Sequence, residues 1–251
     1  MGVAAVLLLI GVVIVSTEKN SSRDSSGAAS SVGVGDPSSV LSLSDWKLEI
    51  PVAVSGSDQP EQVSWPQLQG YESEYFHLNP ASNGVVFWAN VGGAIIPGAI
   101  FARTELREMN ANGSQASWSN TTGTATMTIR EAITHLPTVH PAIVAGQIHN
   151  AEAYVALIRL DGNELWVKAD DKSAGVLDAN YVLGTVFTVK LVATGGHILV
   201  YYNGTLKVDF ADACQTCYFK AGAYLQSNMG YGDSSDSYGE VVIYSLQVSY
   251  S

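Results

Sequence analysis

The residues best suited to chemistry fall in three short segments: Arg103-Thr104-Glu105-Leu106-Arg107, Gln147-Ile148-His149, and Tyr218-Phe219-Lys220-Ala221-Gly222-Ala223-Tyr224-Leu225-Gln226. Side chains of a β-strand alternate between its two faces. With that period Arg103, Glu105 and Arg107 share one face of the first segment. Gln147 and His149 share a face of the second, and Tyr218, Lys220, Tyr224 and Gln226 a face of the third. The opposite faces are mostly apolar. Guanidinium groups offer planar, paired donors to carboxylates, and imidazole titrates near neutrality and can accept a proton. A phenol beside a cation such as Lys220 has its pKa lowered, which helps it exchange a proton. Gathered on one sheet, the three faces make a cationic, proton-transferring groove, in which Glu105 holds an arginine in place rather than doing acid–base work.

Each segment alone also has a plainer reading. Arg103-x-Glu105-x-Arg107 fits an ion-pair ladder on a surface strand, and Tyr224 fits a packed aromatic with a satisfied hydroxyl. His77, His135, His140 and His197 read as structural. His149 stands apart because Gln147 shares its face. No phosphate loop, nucleophile elbow or zinc-binding helix motif occurs, and no carboxylate pair marks a hydrolase.

Helical periodicity is scarce along the chain. Short alternating or β-branched runs recur at 46–51, 85–90, 99–109, 122–130, 144–150, 155–160, 164–169, 187–193, 197–202, 205–210, 219–226 and 240–250. Gly, Asn, Asp and Pro separate them. Asp161-Gly162-Asn163 and Asn203-Gly204 read as hairpin turns. The expected fold is an all-β sandwich, with one weak helix at 64–69. Segments 110–121 and 169–181 are expected as flexible walls over the groove.

Residues 3–15 form an apolar run, short for a membrane span and of the length of a signal-peptide core. It is read as a signal peptide, with a short hydrophobic anchor as the alternative. The Ser- and Gly-rich stretch 16–39 is read as a flexible linker, and the folded domain as 40–251. Secretion, with no stable membrane contact after processing, follows from that reading. The two cysteines, Cys214 and Cys217, then form a local disulfide before the third segment. Asn20, Asn112, Asn120 and Asn203 open Asn-x-Ser/Thr triplets open to glycosylation. The net charge of −11 and the lack of a basic run disfavour nucleic acid. Of only twelve Lys and Arg, Arg103, Arg107 and Lys220 all sit in the three segments. A monomer is expected.

In order and essentially complete, the three segments resemble the signature of the alginate lyases of polysaccharide lyase family 7: Arg-Ser/Thr-Glu-Leu/Val-Arg, Gln-Ile/Val-His and Tyr-Phe-Lys-Ala-Gly-x-Tyr-x-Gln. The opening Trp46-Lys47-Leu48-Glu49-Ile50-Pro51 resembles the start of that domain, and the likeness spans about 40–251. The resemblance implies a β-jelly roll of two antiparallel sheets with a concave substrate groove. It implies cleavage of 1,4-linked uronates by β-elimination, leaving a C4=C5 double bond, with no metal or other cofactor required. Arg103, Gln147 and His149 would neutralise the uronate carboxylate, and Tyr224 would protonate the leaving O4. The same tyrosine would abstract the C5 proton of mannuronate, and His149 that of guluronate. Glu105, Arg107, Lys220 and Gln226 would bind substrate. Ile148 in the middle motif leans towards guluronate. The acidic chain departs from what a polyanion binder would carry, and predicts association that quickens as salt screens repulsion. A non-catalytic carbohydrate-binding sandwich and a glycosidase on neutral glucans are the competing readings.

Overall fold

The structure is a computed structural model that describes residues 1–2 and 35–251. The chain divides into two units, Met1–Val32 and Gly33–Ser251. The apolar run 3–15, most of the expected linker and Asn20 lie outside the described residues. Described order begins before residue 40: Asp36 caps a 3-10 turn at Pro37–Ser39, and Leu41 is buried in the core.

The second unit is an all-β sandwich. Its strands in chain order are β1 (Trp46–Ala53), β2 (Pro60–Ser64), β3 (Phe76–Leu78), β4 (Val85–Asn90), β5 (Arg103–Glu108), β6 (Thr124–His135), β7 (Ala142–His149), β8 (Tyr154–Asp161), β9 (Glu164–Ala169), β10 (Lys172–Asp178), β11 (Phe187–Thr194), β12 (His197–Tyr202), β13 (Thr205–Ala211), β14 (Tyr218–Leu225) and β15 (Tyr238–Tyr250). An eight-stranded sheet runs β10-β9-β8-β7-β14-β5-β1-β2, and a seven-stranded sheet runs β13-β12-β11-β6-β15-β4-β3. Every pairing is antiparallel. The three chemistry-bearing segments become β5, β7 and β14, adjacent in the larger sheet.

The turns follow their residues. Asn203 and Gly204 both have positive φ, as a two-residue hairpin between β12 and β13 requires. Three strands were not expected from sequence: β2, β3 and β10. The stretch expected as a flexible wall at 169–181 instead turns at Asp170 and Asp171, both left-handed, and returns as edge strand β10 against β9. Its Lys-Ser-Ala-Gly start carries little β propensity, so only pairing makes it a strand. The helix expected at 64–69 is a run of turns after β2. Asn120 is fully buried, its amide donating to the carbonyls of Asp212 and His197 while its oxygen accepts from the N–H of Cys214. That triplet is therefore closed to glycosylation in the folded chain, whereas Asn112 and Asn203 are exposed.

The core fills the space between the sheets. Leu106, Ile148, Phe219, Ala221, Ala223 and Leu225 face inward from the larger sheet towards Phe87, Met127, Ile129 and Ile243 of the smaller. Burial of their apolar surface fixes register, because a one-residue slip would turn the polar face of β5 or β14 into the core. Gly222 is a forced choice. Its φ is +137°, and a Cβ there would stand 2.5 Å from the Thr104 carbonyl oxygen. At this point the pairing of β14 with β7 shifts between Ala221 and Tyr224, while the pairing with β5 runs unbroken from Lys220 to Tyr224 and keeps both on one face.

One core position breaks the apolar rule. Glu131 on β6 is fully buried, opposite Phe187 and Ile243, and neither carboxylate oxygen has a hydrogen-bond partner. Burial pushes its pKa well above the ordinary carboxylate value, so the group is neutral where its unfolded counterpart is ionised. Its contribution to stability is then full below the unfolded pKa and is lost as pH rises towards the folded one. Glu131→Met should stabilise the fold by about 1–3 kcal/mol, or a rise in Tm of roughly 2–4 °C per kcal/mol. Glu131→Gln should flatten the decline in Tm between acidic and mildly alkaline buffer. Melting curves at several pH values check both. Parallel pH profiles for the wild type and the Gln variant would refute this account.

Candidate active site

The register of the larger sheet builds two rows of side chains on its outer face. Lys47 of β1 pairs with Arg107 of β5, Arg107 with Lys220 of β14, and Lys220 with Gln147 of β7. Four residues along β5, Arg103 pairs with Tyr224, Tyr224 with Val144, Val144 with Arg159 and Arg159 with Trp166. Between the rows, Glu49 pairs with Glu105, and Glu105 with Gly222. One β period has thus put five cations, Lys47, Arg103, Arg107, Arg159 and Lys220, and the two carboxylates of Glu49 and Glu105 on one face.

Glu105 is the hub. It is 1% exposed. One carboxylate oxygen accepts from Gln147 Nε2, the other contacts Lys220 Nζ, and Arg103 Nη1 lies 3.5 Å away. Burial raises its pKa, but Lys220, Arg103 and the hydrogen bonds from Lys220 and Gln147 outweigh that and hold it below the ordinary carboxylate value. The carboxylate is ionised and its oxygens are committed within the chain. Expected from sequence to hold an arginine and to line the substrate site, Glu105 contacts Lys220 and Gln147 as well as Arg103. Arg103 is bracketed by a second carboxylate, with Nε 3.4 Å from Glu49, and its guanidinium lies 3.9 Å from the centroid of the Tyr224 ring.

The two candidate proton-transfer groups flank this network. His149 pairs with Tyr218 and stacks on its ring, centroids 5.3 Å apart. Its Nδ1 lies 2.6 Å from the carbonyl oxygen of Asn150. A carbonyl can only accept, so that contact assigns the proton to Nδ1 and leaves the lone pair on Nε2. Burial lowers the His149 pKa, with Lys220 and Arg103 adding to the effect. The ring is therefore a neutral base at pH 7. Tyr224 behaves oppositely to the sequence expectation. Burial raises its pKa, and the nearby Arg103 only partly offsets this. At neutral pH it is a protonated phenol, ready to give a proton rather than take one.

Other expected binding residues are partly committed. Arg107 donates to the Glu108 carbonyl at 2.6 Å and to Gln115 Oε1 at 3.1 Å, and covers the Tyr218 ring. It thereby ties segment 110–121 to one end of the groove, where Gln115, Arg107 and Lys47 line a cavity of 220 Å³. The Gln226 oxygen accepts from Arg159 Nη1 at 2.8 Å and its amide donates to the Leu225 carbonyl. Ile148 faces the core and is fully buried, so any bearing it has on substrate choice is indirect. Cys214 and Cys217 are bonded to each other just before β14. Behind the sheet, the buried Glu108 carboxylate accepts from the Phe219 N–H, the Trp118 indole and the Tyr250 hydroxyl. These bonds hold the start of β14 against β5.

Several of these residues escaped sequence reasoning: Lys47, Glu49, Glu108, Arg159 and Gln115. For Lys47 and Glu49 a signal existed, since both alternate with Trp46, Leu48 and Ile50. The others depend on pairings between distant segments. His135 stacks on Tyr238 and His197 bonds to Asp209, both on strands of the smaller sheet.

The alginate lyase family model matches residues 41–250. Among solved structures, the chain is similar to the alginate lyase AlgAT5 of polysaccharide lyase family 7, with 49% identity, TM-score 0.83, and coverage of 86% of this chain and 99% of that one. It is similar to an alginate lyase from Corynebacterium sp., with 40% identity, TM-score 0.82, and coverage of 86% and 99%. It also resembles the family 7 alginate lyase A1-II′, solved in a variant complex with a GGMG substrate, with 26% identity, TM-score 0.71, and coverage of 86% and 97%. Curated protein sequences offer no match. By its matched length and by the likeness of its whole folded unit, the chain belongs to the alginate lyases of polysaccharide lyase family 7.

Proposed function

We propose that the protein is an alginate lyase that cleaves the 1,4-linked uronate chain by β-elimination, with His149 as base and Tyr224 as acid at guluronate. The observation that carries the reading is the placement of a neutral imidazole and a protonated phenol at either side of the Glu105–Lys220–Gln147–Arg103 network.

The chemistry proceeds from those residues. Arg103 and Gln147 neutralise the uronate carboxylate, which acidifies the C5 proton and stabilises the anion that forms. His149 Nε2 takes that proton. The electron pair forms the C4=C5 bond as the C4–O4 bond breaks, and the Tyr224 hydroxyl protonates the departing O4. Solvent then returns a proton to Tyr224 and removes one from His149. Base and acid on separate sides of the sugar suit guluronate, whose C5 proton lies opposite the leaving group. A binding module would not need this pairing, and a glycosidase would need two catalytic carboxylates, whereas Glu105 is consumed in holding cations. The apolar run at 3–15 supports secretion, and we propose that the processed protein acts as a monomer outside the cell.

Incubation with polyguluronate and polymannuronate separately, followed by ultraviolet absorbance of the conjugated double bond, tests the reaction. A rise is expected on both, faster on polyguluronate. New reducing ends with no rise would identify a hydrolase, and binding without new ends a lectin-like module. Tyr224→Phe and His149→Ala should each lower kcat about 10²- to 10⁴-fold on polyguluronate, while a loss below threefold would remove either residue from its role.

The depressed His149 pKa fixes the acid side of the profile. The base is lost only as pH falls through a value below the ordinary 6.5, so kcat/KM should hold constant from neutrality down past that point before declining. A limb centred above 6.5 would exclude a buried, neutral His149. Glu105→Ala strands the Lys220 ammonium in a buried site and should cost about 3–5 kcal/mol of stability, read from denaturant melts. A cost under about 1 kcal/mol would mean the pair behaves as a surface contact.

A further inference from the structure

At the Tyr224 end of the groove the surface changes character. Phe101 meets Tyr224 edge-on at 6.2 Å between centroids, Tyr231 lies 6.0 Å from Phe101, and His140 lies 4.9 Å from Tyr231. Tyr231 is 50% exposed. We propose that Tyr231 and Phe101 form a stacking subsite that holds one pyranose ring of the uronate chain by its C–H face, beyond the residue being cleaved; the inference rests on the lyase reading.

Three observations carry it. The aromatic surface is continuous with the groove through Tyr224, so a chain lying at the reacting centre can extend onto it. The surface is built rather than loose. The buried Asp233 carboxylate accepts from the backbone N–H groups of Val139 and His140, each at 2.9 Å, and from the hydroxyls of Ser227 and Ser237. It thereby ties the segment carrying His140 to the one carrying Tyr231, while Asn228 Nδ2 donates to the Ile100 carbonyl next to Phe101. Four hydrogen bonds on one carboxylate are what a fixed platform needs, since an aromatic ring binds a sugar well only if it is already in place. Finally, the neighbouring cation is spoken for. Arg159 engages Asp161 through Nε and Nη2, both at 2.7 Å, and Gln226 through Nη1. At the opposite end Lys47 and Arg107 are held by neutral acceptors, Gln62, the Glu108 carbonyl and Gln115, which leave their charge unbalanced. One end of the groove therefore reads the uronate carboxylate and the other reads the ring.

The test compares Tyr231→Ala and Tyr231→Phe with wild type on guluronate oligomers of increasing length and on the polymer, at low and high salt. Tyr231→Ala should raise KM on long chains five- to tenfold, with a smaller effect on kcat. The penalty should shrink as the oligomer shortens, and its size should not depend on salt. Tyr231→Phe, which keeps the ring, should restore the wild-type KM. Thermal melts of both variants should match wild type, as expected for a half-exposed side chain. An unchanged KM on the polymer, an equal penalty at every length, or a Phe variant as weak as Ala would overturn the subsite. Wild-type protein without ultraviolet product would instead overturn the lyase reading, which separates the two failures.

Discussion

A buried carboxylate holds this site together. Lys47, Arg103, Arg107 and Lys220 lie on adjacent positions of one sheet face and repel one another. Glu105, fully withdrawn from water, supplies the opposing charge and fixes three donors at once. The ion stays ionised only because its partners overcome the desolvation that burial imposes. Glu49, opposite it in the register, adds a second anion beside Arg103. With Arg159 neutralised by Asp161, the remaining four cations, Lys47, Arg103, Arg107 and Lys220, against the two carboxylates Glu49 and Glu105 leave the groove positive, and its donors are set before substrate arrives. This is the arrangement that stabilises a charge developing during reaction, since little need move when the charge appears.

The same strands do opposite work on their other face. Leu106, Phe219, Ala221 and Ala223 pack between the sheets, and their burial locks the register that aligns Lys220 with both Arg107 and Gln147. Glu108 reinforces the alignment from behind by accepting from the Phe219 N–H. At Gly222 the ladder to β7 slips, while the ladder to β5 continues unbroken and sets Tyr224 across from Arg103. Core packing and catalysis are therefore one constraint here, written into alternate residues of a nine-residue segment.

That double use explains what was legible in the sequence. Period-two alternation revealed the shared faces of β5, β7 and β14, and the hairpin at Asn203-Gly204 declared its turn chemistry. Segments whose strand character comes from a neighbour, such as β10, left little trace. Of the partners of Glu105 only an arginine was legible, because the contacts to Gln147 and Lys220 depend on how β7 and β14 meet beside β5. The Tyr224 expectation failed for a related reason. A nearby cation was visible in sequence, whereas the burial that outweighs it emerges only when Phe101 and Arg103 close over the ring. Arg159 and Asp233 gave no sequence signal, being single residues whose role lies in pairing distant segments.

The acidic chain and the cationic groove pose one problem at two length scales. A net charge of −11 repels a polyuronate at a distance, while within a few ångströms Lys47, Arg103, Arg107 and Lys220 dominate. Salt screens the first interaction more than the second, because exposed charges far apart are screened and partly buried ones close together are not. A polyanion held only by charge would slip readily from one register to the next, since every uronate can contest the same cations with its neighbour. A groove that holds the reacting carboxylate by charge and an adjoining ring by shape avoids that contest. In the proposed mechanism the carboxylate then registers in one place, beside Arg103 and Gln147.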